Sequence, residues 1–131
     1  SPSAETSQEV GALLASMKVA LAGEVADVRT SDRLTESAVC LVASDKGPDR
    51  QFERLLSAAG RLDSAAKPIL EVNPRHAVVA ALAAVEDGAL RSDVAHLLLD
   101  TARVLDGERP TDANAFAERL NRLVTRSLGD R

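Results

Sequence analysis

Residues 88–128 decide how the rest of the chain is interpreted: GALRSDVAHLLLDTARVLDGERPTDANAFAERLNRLVTRSL. Apolar residues recur here at spacings of three and four on both sides of a turn, as in two amphipathic helices. Gly107 and Pro110 supply a stop and a start, and Thr111 or Asp112 can cap the second helix. The stripes consist of Leu90, Val94, Leu97, Leu98, Ala102 and Leu105, then Phe116, Leu120, Leu123, Val124 and Leu128. The stretch therefore predicts an antiparallel helical hairpin.

This hairpin carries more apolar side chains than one seam between two helices needs, since Leu99 and Val104 lie off the main stripe. The surplus packs either on the rest of the domain or on a second copy of the chain in a four-helix bundle. The candidate interface residues are Leu90, Val94, Leu97, Leu98, Leu105, Phe116, Leu120, Leu123 and Val124. The expected main anchors are Leu97, Leu98, Phe116, Leu120 and Leu123.

The composition of the chain excludes several classes of protein. A length of 131 residues predicts one domain, and 45% apolar with 2% aromatic residues predicts a core of Leu, Val and Ala. A net charge of −4 argues against nucleic-acid binding. No apolar run approaches the roughly 20 residues of a membrane span, and no signal peptide is visible. The single Cys40 cannot form an internal disulfide, which favours a cytoplasmic location.

The first third of the chain predicts a helix and two strands. Residues 1–6 are expected to be a disordered tail, and Thr6 with Glu9 has the spacing of a capping box. The helix that follows has an apolar face formed by Val10, Leu13, Leu14, Met17 and Leu21. Residues 25–30 and the continuous apolar run 38–43 predict two strands, the second covered on both faces, joined as a hairpin.

The middle of the chain predicts a short helix, a third strand and another helix. Residues 49–59 form the short amphipathic helix, and residues 67–72 form the strand. Asn73 is expected to be the N-cap of the next helix, with Pro74 in its first turn. The inner face of that helix is expected to contain Val78, Val79, Leu82 and Val85. The fold is thus α+β, with a small three-stranded sheet, flanking helices and the C-terminal hairpin, forming one domain over residues 7–131.

Few residues are candidates for catalysis or metal binding. Cys40 lies in the most apolar run, which favours a buried hydrophobe over a nucleophile, and the position of His76 favours helix capping or solvent exposure. His96 with Asp93 and Asp100 has helical ligand spacing but is a weak metal signal. Glu71 in the third strand needs a partner, for which we expect Arg33. No phosphate-binding glycine loop or paired-Cys zinc pattern is present, so no catalytic, cofactor or metal residues are predicted.

Three segments carry a resemblance. DVRTSDRLTESAVCLV at 27–42, FERLLSAAG at 52–60 and PILEVNPRH at 68–76 resemble the C-terminal domain of the heat-shock protein 90 chaperones. The third segment is the most specific, and the terminal helices match the dimerisation pair of that family. The similarity covers residues 13–128 in the right order and is greatest to the bacterial members.

The resemblance implies a homodimerisation domain of an ATP-dependent chaperone that acts in stress response and protein folding. It implies a four-helix bundle with two helices from each protomer. ATP and Mg would be bound by an N-terminal ATPase domain, which is absent from this chain together with the middle domain. The helix at 49–59 would contact unfolded or partly folded clients through Phe52, Leu55 and Leu56.

Two features depart from the family pattern. Bacterial relatives often carry Met on the helix at 49–59, where this chain has none. The chain ends in Gly129-Asp130-Arg131 without the Met-Glu-Glu-Val-Asp tail, so we expect no tetratricopeptide co-chaperone. The absence of an initiator Met suggests a fragment. The alternatives are a small cytosolic dimeric α+β adaptor, or an enzyme using Cys40 or His76, unrelated to chaperones.

Overall fold

The computed structural model describes residues 4–33, 36–44, 55 and 67–129. Its elements are α1 (Ala4–Ala20), β1 (Asp27–Thr30), β2 (Val39–Val42), β3 (Ile69–Val72), α2 (Ala77–Ala83), α3 (Gly88–Leu105) and α4 (Ala113–Gly129). Within the described ranges these are four helices and a three-stranded mixed sheet, which confirms the α+β prediction. The helix predicted at 49–59 lies outside the described residues, apart from Leu55.

The sheet has the order β1–β3–β2, with β3 in the centre. β3 runs parallel to β1 and antiparallel to β2, so that Leu70 lies between Val28 and Leu41. The predicted hairpin between β1 and β2 is therefore wrong. The physical reason is burial: all four residues of β3 are buried, and a strand that pairs on both edges is the best placed to be enclosed.

The core lies between one face of the sheet and the helices. α1 contributes Leu13 and Met17, the turn after it contributes Leu21, and α3 contributes Leu98 and Leu99. The sheet and α2 add further buried side chains, which are Val28, Val39, Leu41, Leu70, Val72, Val79 and Leu82. This Leu, Val and Ala core is the one expected from a chain with few aromatic residues.

β2 is not covered equally on its two faces. Val39 and Leu41 are buried in the core, whereas Cys40 and Val42 on the other face are half-buried. The prediction of a strand enclosed on both faces is therefore wrong for β2. Four apolar residues in a row do not by themselves show whether a second layer covers them.

Two helix starts differ from the predictions. α1 begins at Ala4, so Thr6 lies inside the helix and is not its N-cap. Residues 4–6 of the predicted tail belong to the first turn of α1, and residues 1–3 lie outside the described residues. A capping-box spacing is short, and it also occurs by chance within helices.

The start of α2 also lies further along the chain than predicted. The N-cap is His76, whose Nδ1 accepts a hydrogen bond of 3.1 Å from the Val78 N–H, which confirms the capping role expected for this histidine. Asn73 is 2% exposed, and its Oδ1 accepts from the Arg75 N–H in the turn before the helix. Its Nδ2 donates to the Ser37 carbonyl, so Asn73 ties this turn to the segment before β2. The prediction of Asn73 as N-cap is wrong.

Candidate dimerisation surface

The C-terminal hairpin forms as predicted, and its ends are set by local chemistry. Gly107 adopts a φ of +83°, which favours glycine and allows the chain to leave α3. The Asp112 Oδ1 accepts a hydrogen bond of 3.0 Å from the Ala115 N–H and caps α4. At the start of α3, the Asp87 Oδ1 accepts from the Ala89 and Leu90 N–H groups.

The two helices of the hairpin are unequal. α3 packs against α1 and β2 and buries Ala95, Leu97, Leu98, Leu99, Asp100 and Ala102. α4 packs against α3, and none of its residues is buried. α3 is therefore part of the domain core, whereas α4 lies on the outside of the protomer.

Exposed apolar side chains concentrate on this hairpin. Eight large apolar side chains are exposed among the described residues, and five of them lie on α3 or α4. These five are between 40% and 66% exposed: Val104, Leu105, Leu120, Val124 and Leu128. Leu120, Val124 and Leu128 recur every four residues, so they share one face of α4. A row of exposed apolar side chains along one helix face is typical of protein–protein interfaces.

The nine predicted interface residues fall into three groups. Leu97 and Leu98 are only 8% and 7% exposed, so their own protomer already covers them. Leu90, Val94, Phe116 and Leu123 are half-buried, and Leu105, Leu120 and Val124 are exposed. Val104 and Leu128 are also exposed but were not in the predicted set. The spacing of four from Val124 is the signal that identifies Leu128.

Ion pairs connect the outer helix to the inner one. Arg122 donates from Nε and Nη2 to the two carboxylate oxygens of Asp93, at 2.9 and 3.0 Å. Arg126 Nη1 lies 3.5 Å from Asp87 Oδ2. Arg122 holds the pKa of Asp93 below its usual value, since the hydrogen bonds favour the charged carboxylate.

A groove of about 710 Å³ lies between the start of α3 and the end of α4. Leu90 and Leu123 contribute apolar surface to it, and the two ion pairs line it as well. The groove adds further apolar surface next to the exposed stripe of α4.

The three side chains considered as a weak metal set have separate partners. Asp93 binds Arg122, and His96 Nδ1 lies 3.4 Å from Glu24 Oε2. Asp100 accepts from Arg103, which also approaches Glu24. No group of three His, Cys, Asp or Glu side chains suited to a metal occurs in the described part of the chain. Burial and the nearby Arg119 lower the pKa of His96.

A second charged cluster lies on the sheet. Glu71 accepts hydrogen bonds from Arg29 Nε at 3.1 Å and from Arg33 Nε and Nη2 at 3.3 and 3.2 Å. The predicted pair with Arg33 is confirmed, and Arg29 is an additional partner because it lies opposite Glu71 in the β1–β3 register. Burial alone would raise the pKa of Glu71, but the two arginines hold it below its usual value. Burial and the neighbouring Glu71 carboxylate raise the pKa of Cys40.

Leu55 is the one described residue of the predicted client-contact helix. It is in helical conformation and 65% exposed. Phe52 and Leu56 lie outside the described residues.

Comparison with known proteins identifies the family of this chain. The family model described as Hsp90 protein matches residues 2–131, which is nearly the whole chain. The chain belongs to the Hsp90 family. This membership sets aside the alternative of an adaptor or enzyme unrelated to chaperones.

Among the relatives that this chain is similar to are bacterial proteins named chaperone protein HtpG. The protein from Mesorhizobium japonicum is 62% identical over 129 residues, covering 97% of this chain and 20% of its own length. The protein from Azorhizobium caulinodans is 59% identical, covering 92% and 19%. The one from Rhodopseudomonas palustris strain BisB5 is 50% identical, covering 95% and 20%.

This Hsp90-family chain spans about a fifth of the length of the curated relatives it matches. None of its described helices is long and apolar enough to cross a membrane.

Proposed function

We propose that this chain is the C-terminal dimerisation domain of an HtpG-type chaperone and that it pairs with a second copy through the α3–α4 hairpin. The observation that carries the proposal is that α4 buries none of its residues in its own protomer while Leu120, Val124 and Leu128 are exposed along one face. Two such hairpins can bury these faces against each other in a four-helix bundle.

The energetics favour association. Burying a leucine or valine side chain contributes about 1.5–3 kcal/mol relative to leaving it exposed. The five large apolar side chains on each hairpin are 40–66% exposed, so each can contribute roughly half of that amount. Doubled by symmetry, their burial is comparable to the loss of translational and rotational freedom, which is of order 4–15 kcal/mol. A dimer is therefore expected at low concentration.

The structure suggests how the predicted anchors divide. Leu97 and Leu98 support the interface from inside the protomer, because little of their surface is left for a partner. Leu105, Leu120, Val124 and Leu128 contact the second copy directly in this proposal. The half-buried Phe116 and Leu123 contribute both to the contact between α3 and α4 and to the proposed contact with the second copy.

In the complete protein, this domain would hold together two copies of an ATP-dependent chaperone in the cytoplasm. ATP and Mg would be bound by segments that this chain does not span, since its sequence has no phosphate-binding loop and the carboxylates of its groove are paired with arginines. The domain itself would carry no catalytic residue. Client proteins would contact Leu55, whose side chain is 65% exposed.

The proposal is tested by the oligomeric state of two matched variants. Leu120→Asp places a charge in the exposed stripe of α4, and Val19→Asp places the same charge on α1, where Val19 is 81% exposed. In sedimentation velocity at micromolar concentration, we expect wild type and Val19→Asp to be dimers and Leu120→Asp to be a monomer.

A monomeric wild-type chain would disprove the proposal. A dimeric Leu120→Asp variant would place the interface elsewhere. If both variants were monomers, the loss of the dimer would not be specific to the hairpin.

A further inference from the structure

The outer helix of the hairpin depends on a small contact area. α4 has 17 residues, and only Ala115, Phe116, Arg119 and Leu123 are even half-buried. In proteins, most of the stability of a helix comes from tertiary packing of its apolar face and not from helix propensity.

The ion pairs of α4 add little to its stability within one protomer. The side chains of Arg122 and Arg126 are 58% and 52% exposed, so solvent screens their attraction to Asp93 and Asp87. They orient the helix without burying apolar surface. By contrast, α3 buries six of its residues and needs no partner chain to stay folded.

We infer that α4 folds together with dimerisation, so that a single protomer keeps α1, the sheet, α2 and α3 but releases α4 as an unfolded segment. This inference rests on the proposed function, because the second copy supplies the missing contacts. Part of the free energy gained from the apolar contact between the two copies is then used to order α4. A substitution that makes α4 harder to fold therefore weakens the dimer.

Hydrogen exchange at different protein concentrations tests the inference. In the concentrated dimer, the amides of α4 are expected to exchange slowly. After dilution to monomer, amides between residues 113 and 129 are expected to exchange at nearly the unfolded rate, while amides of α3 between residues 95 and 102 stay protected. Equal protection of α3 and α4 in the monomer would overturn the inference.

A pair of substitutions at Glu118 tests it independently. Glu118 is exposed on α4 and lies away from the apolar stripe, so Glu118→Ala and Glu118→Gly differ mainly in helix propensity. If α4 folds on dimerisation, the Gly variant loses about fivefold for each helix relative to the Ala variant. Each dimer folds two copies of α4, so its dissociation constant is expected to be about 25-fold larger. If α4 is already folded in the monomer, both variants have the same dissociation constant, and the inference is wrong.

The control for this pair is Ala15→Gly on the exposed side of α1, a helix that the inference keeps folded in the monomer. This variant is expected to lower protomer stability and leave the dissociation constant unchanged. An Ala15→Gly dimer weakened as much as Glu118→Gly would also count against the inference. A chain that never dimerises would overturn the proposed function itself, whereas a dimer with a prefolded α4 overturns only the inference.

Discussion

At the scale of the residue, Glu71 shows how a carboxylate is accommodated in the central strand. Its side chain is 8% exposed, and Arg29 and Arg33 supply hydrogen bonds to both of its oxygens. Removing a charged partner from such a cluster leaves the remaining groups without compensation for their lost hydration. Glu71 therefore contributes to stability only while it is ionised.

Glu71→Gln is expected to lower the free energy of unfolding by about 2 kcal/mol at neutral pH. The folded-state pKa of Glu71 lies below its ordinary value of 4.5. Its contribution is therefore fully present above pH 4.5 and is lost as the pH falls through the folded-state pKa. Urea unfolding between pH 7 and pH 3 measures the difference from wild type, which should shrink in acid. Asp32→Asn, at a nearby exposed carboxylate, is the control, and a Glu71→Gln deficit that does not change with pH would contradict the assignment.

Cys40 is expected to react slowly with alkylating reagents. Its thiol is half-buried, and its pKa is raised by burial and by Glu71, so both access and the thiolate fraction are reduced. Modification by iodoacetamide near pH 7.5 should be roughly tenfold slower in the folded chain than in urea. Equal rates in both states would show that the sheet does not protect this residue.

At the scale of the element, Asp87 has two roles at the start of α3. Its Oδ1 caps the helix through Ala89 and Leu90, and its Oδ2 pairs with Arg126 of α4. One carboxylate thus fixes the start of the inner helix and contacts the outer one. The buried inner helix and the exposed outer helix are connected at this point.

Asp87→Ala is expected to destabilise the protomer by about 1 kcal/mol, the usual cost of losing an N-cap. Asp87→Asn keeps an oxygen that can cap α3 but removes the charge that attracts Arg126, so its loss should be well under half as large. Urea unfolding of both variants separates the two roles. Equal losses would mean that the contact with Arg126, and not the cap, carries the stability.

Local pattern predicts the elements well but does not predict how they pair. Spacings of three and four located α3 and α4, and Val and Thr content located β1. The strand order was missed because Asp27 pairs with Ile69 across more than forty residues of chain, and no local period records such a contact. Similarly, Asn73 has the right residue type for an N-cap, but a tertiary hydrogen bond to Ser37 holds it elsewhere.

At the scale of the whole molecule, the apolar side chains divide into those that are buried in the core and those that stay exposed, which the proposed dimer would cover. The sequence places Leu97 and Leu120 on equivalent stripes, yet Leu97 is 8% exposed and Leu120 is 40% exposed. The difference arises because α3 packs on β2 and α1, and the stripes alone do not show which helix is inside. The sequence therefore predicts which positions form the apolar stripes, but it does not predict which of them are buried and which are exposed.

This division predicts opposite effects for two leucines. Leu99→Ala removes a side chain that is 1% exposed in the core and is expected to cost about 3 kcal/mol of protomer stability. Leu120→Ala should cost the protomer less than about 1 kcal/mol but weaken dimerisation by tenfold or more. Urea unfolding at low concentration and sedimentation equilibrium measure the two quantities. Similar protomer losses for both variants would contradict the division.

The central position of β3 has a consequence for the order in which the chain can assemble during synthesis. β1 and β2 each pair with β3, which ends at Val72, so neither can complete its ladder until the ribosome has released that segment. At about 5–20 residues per second, β1 then waits for several seconds with both edges open. The chain would thus pass through a brief interval in which nascent-chain factors could protect its open strand edges.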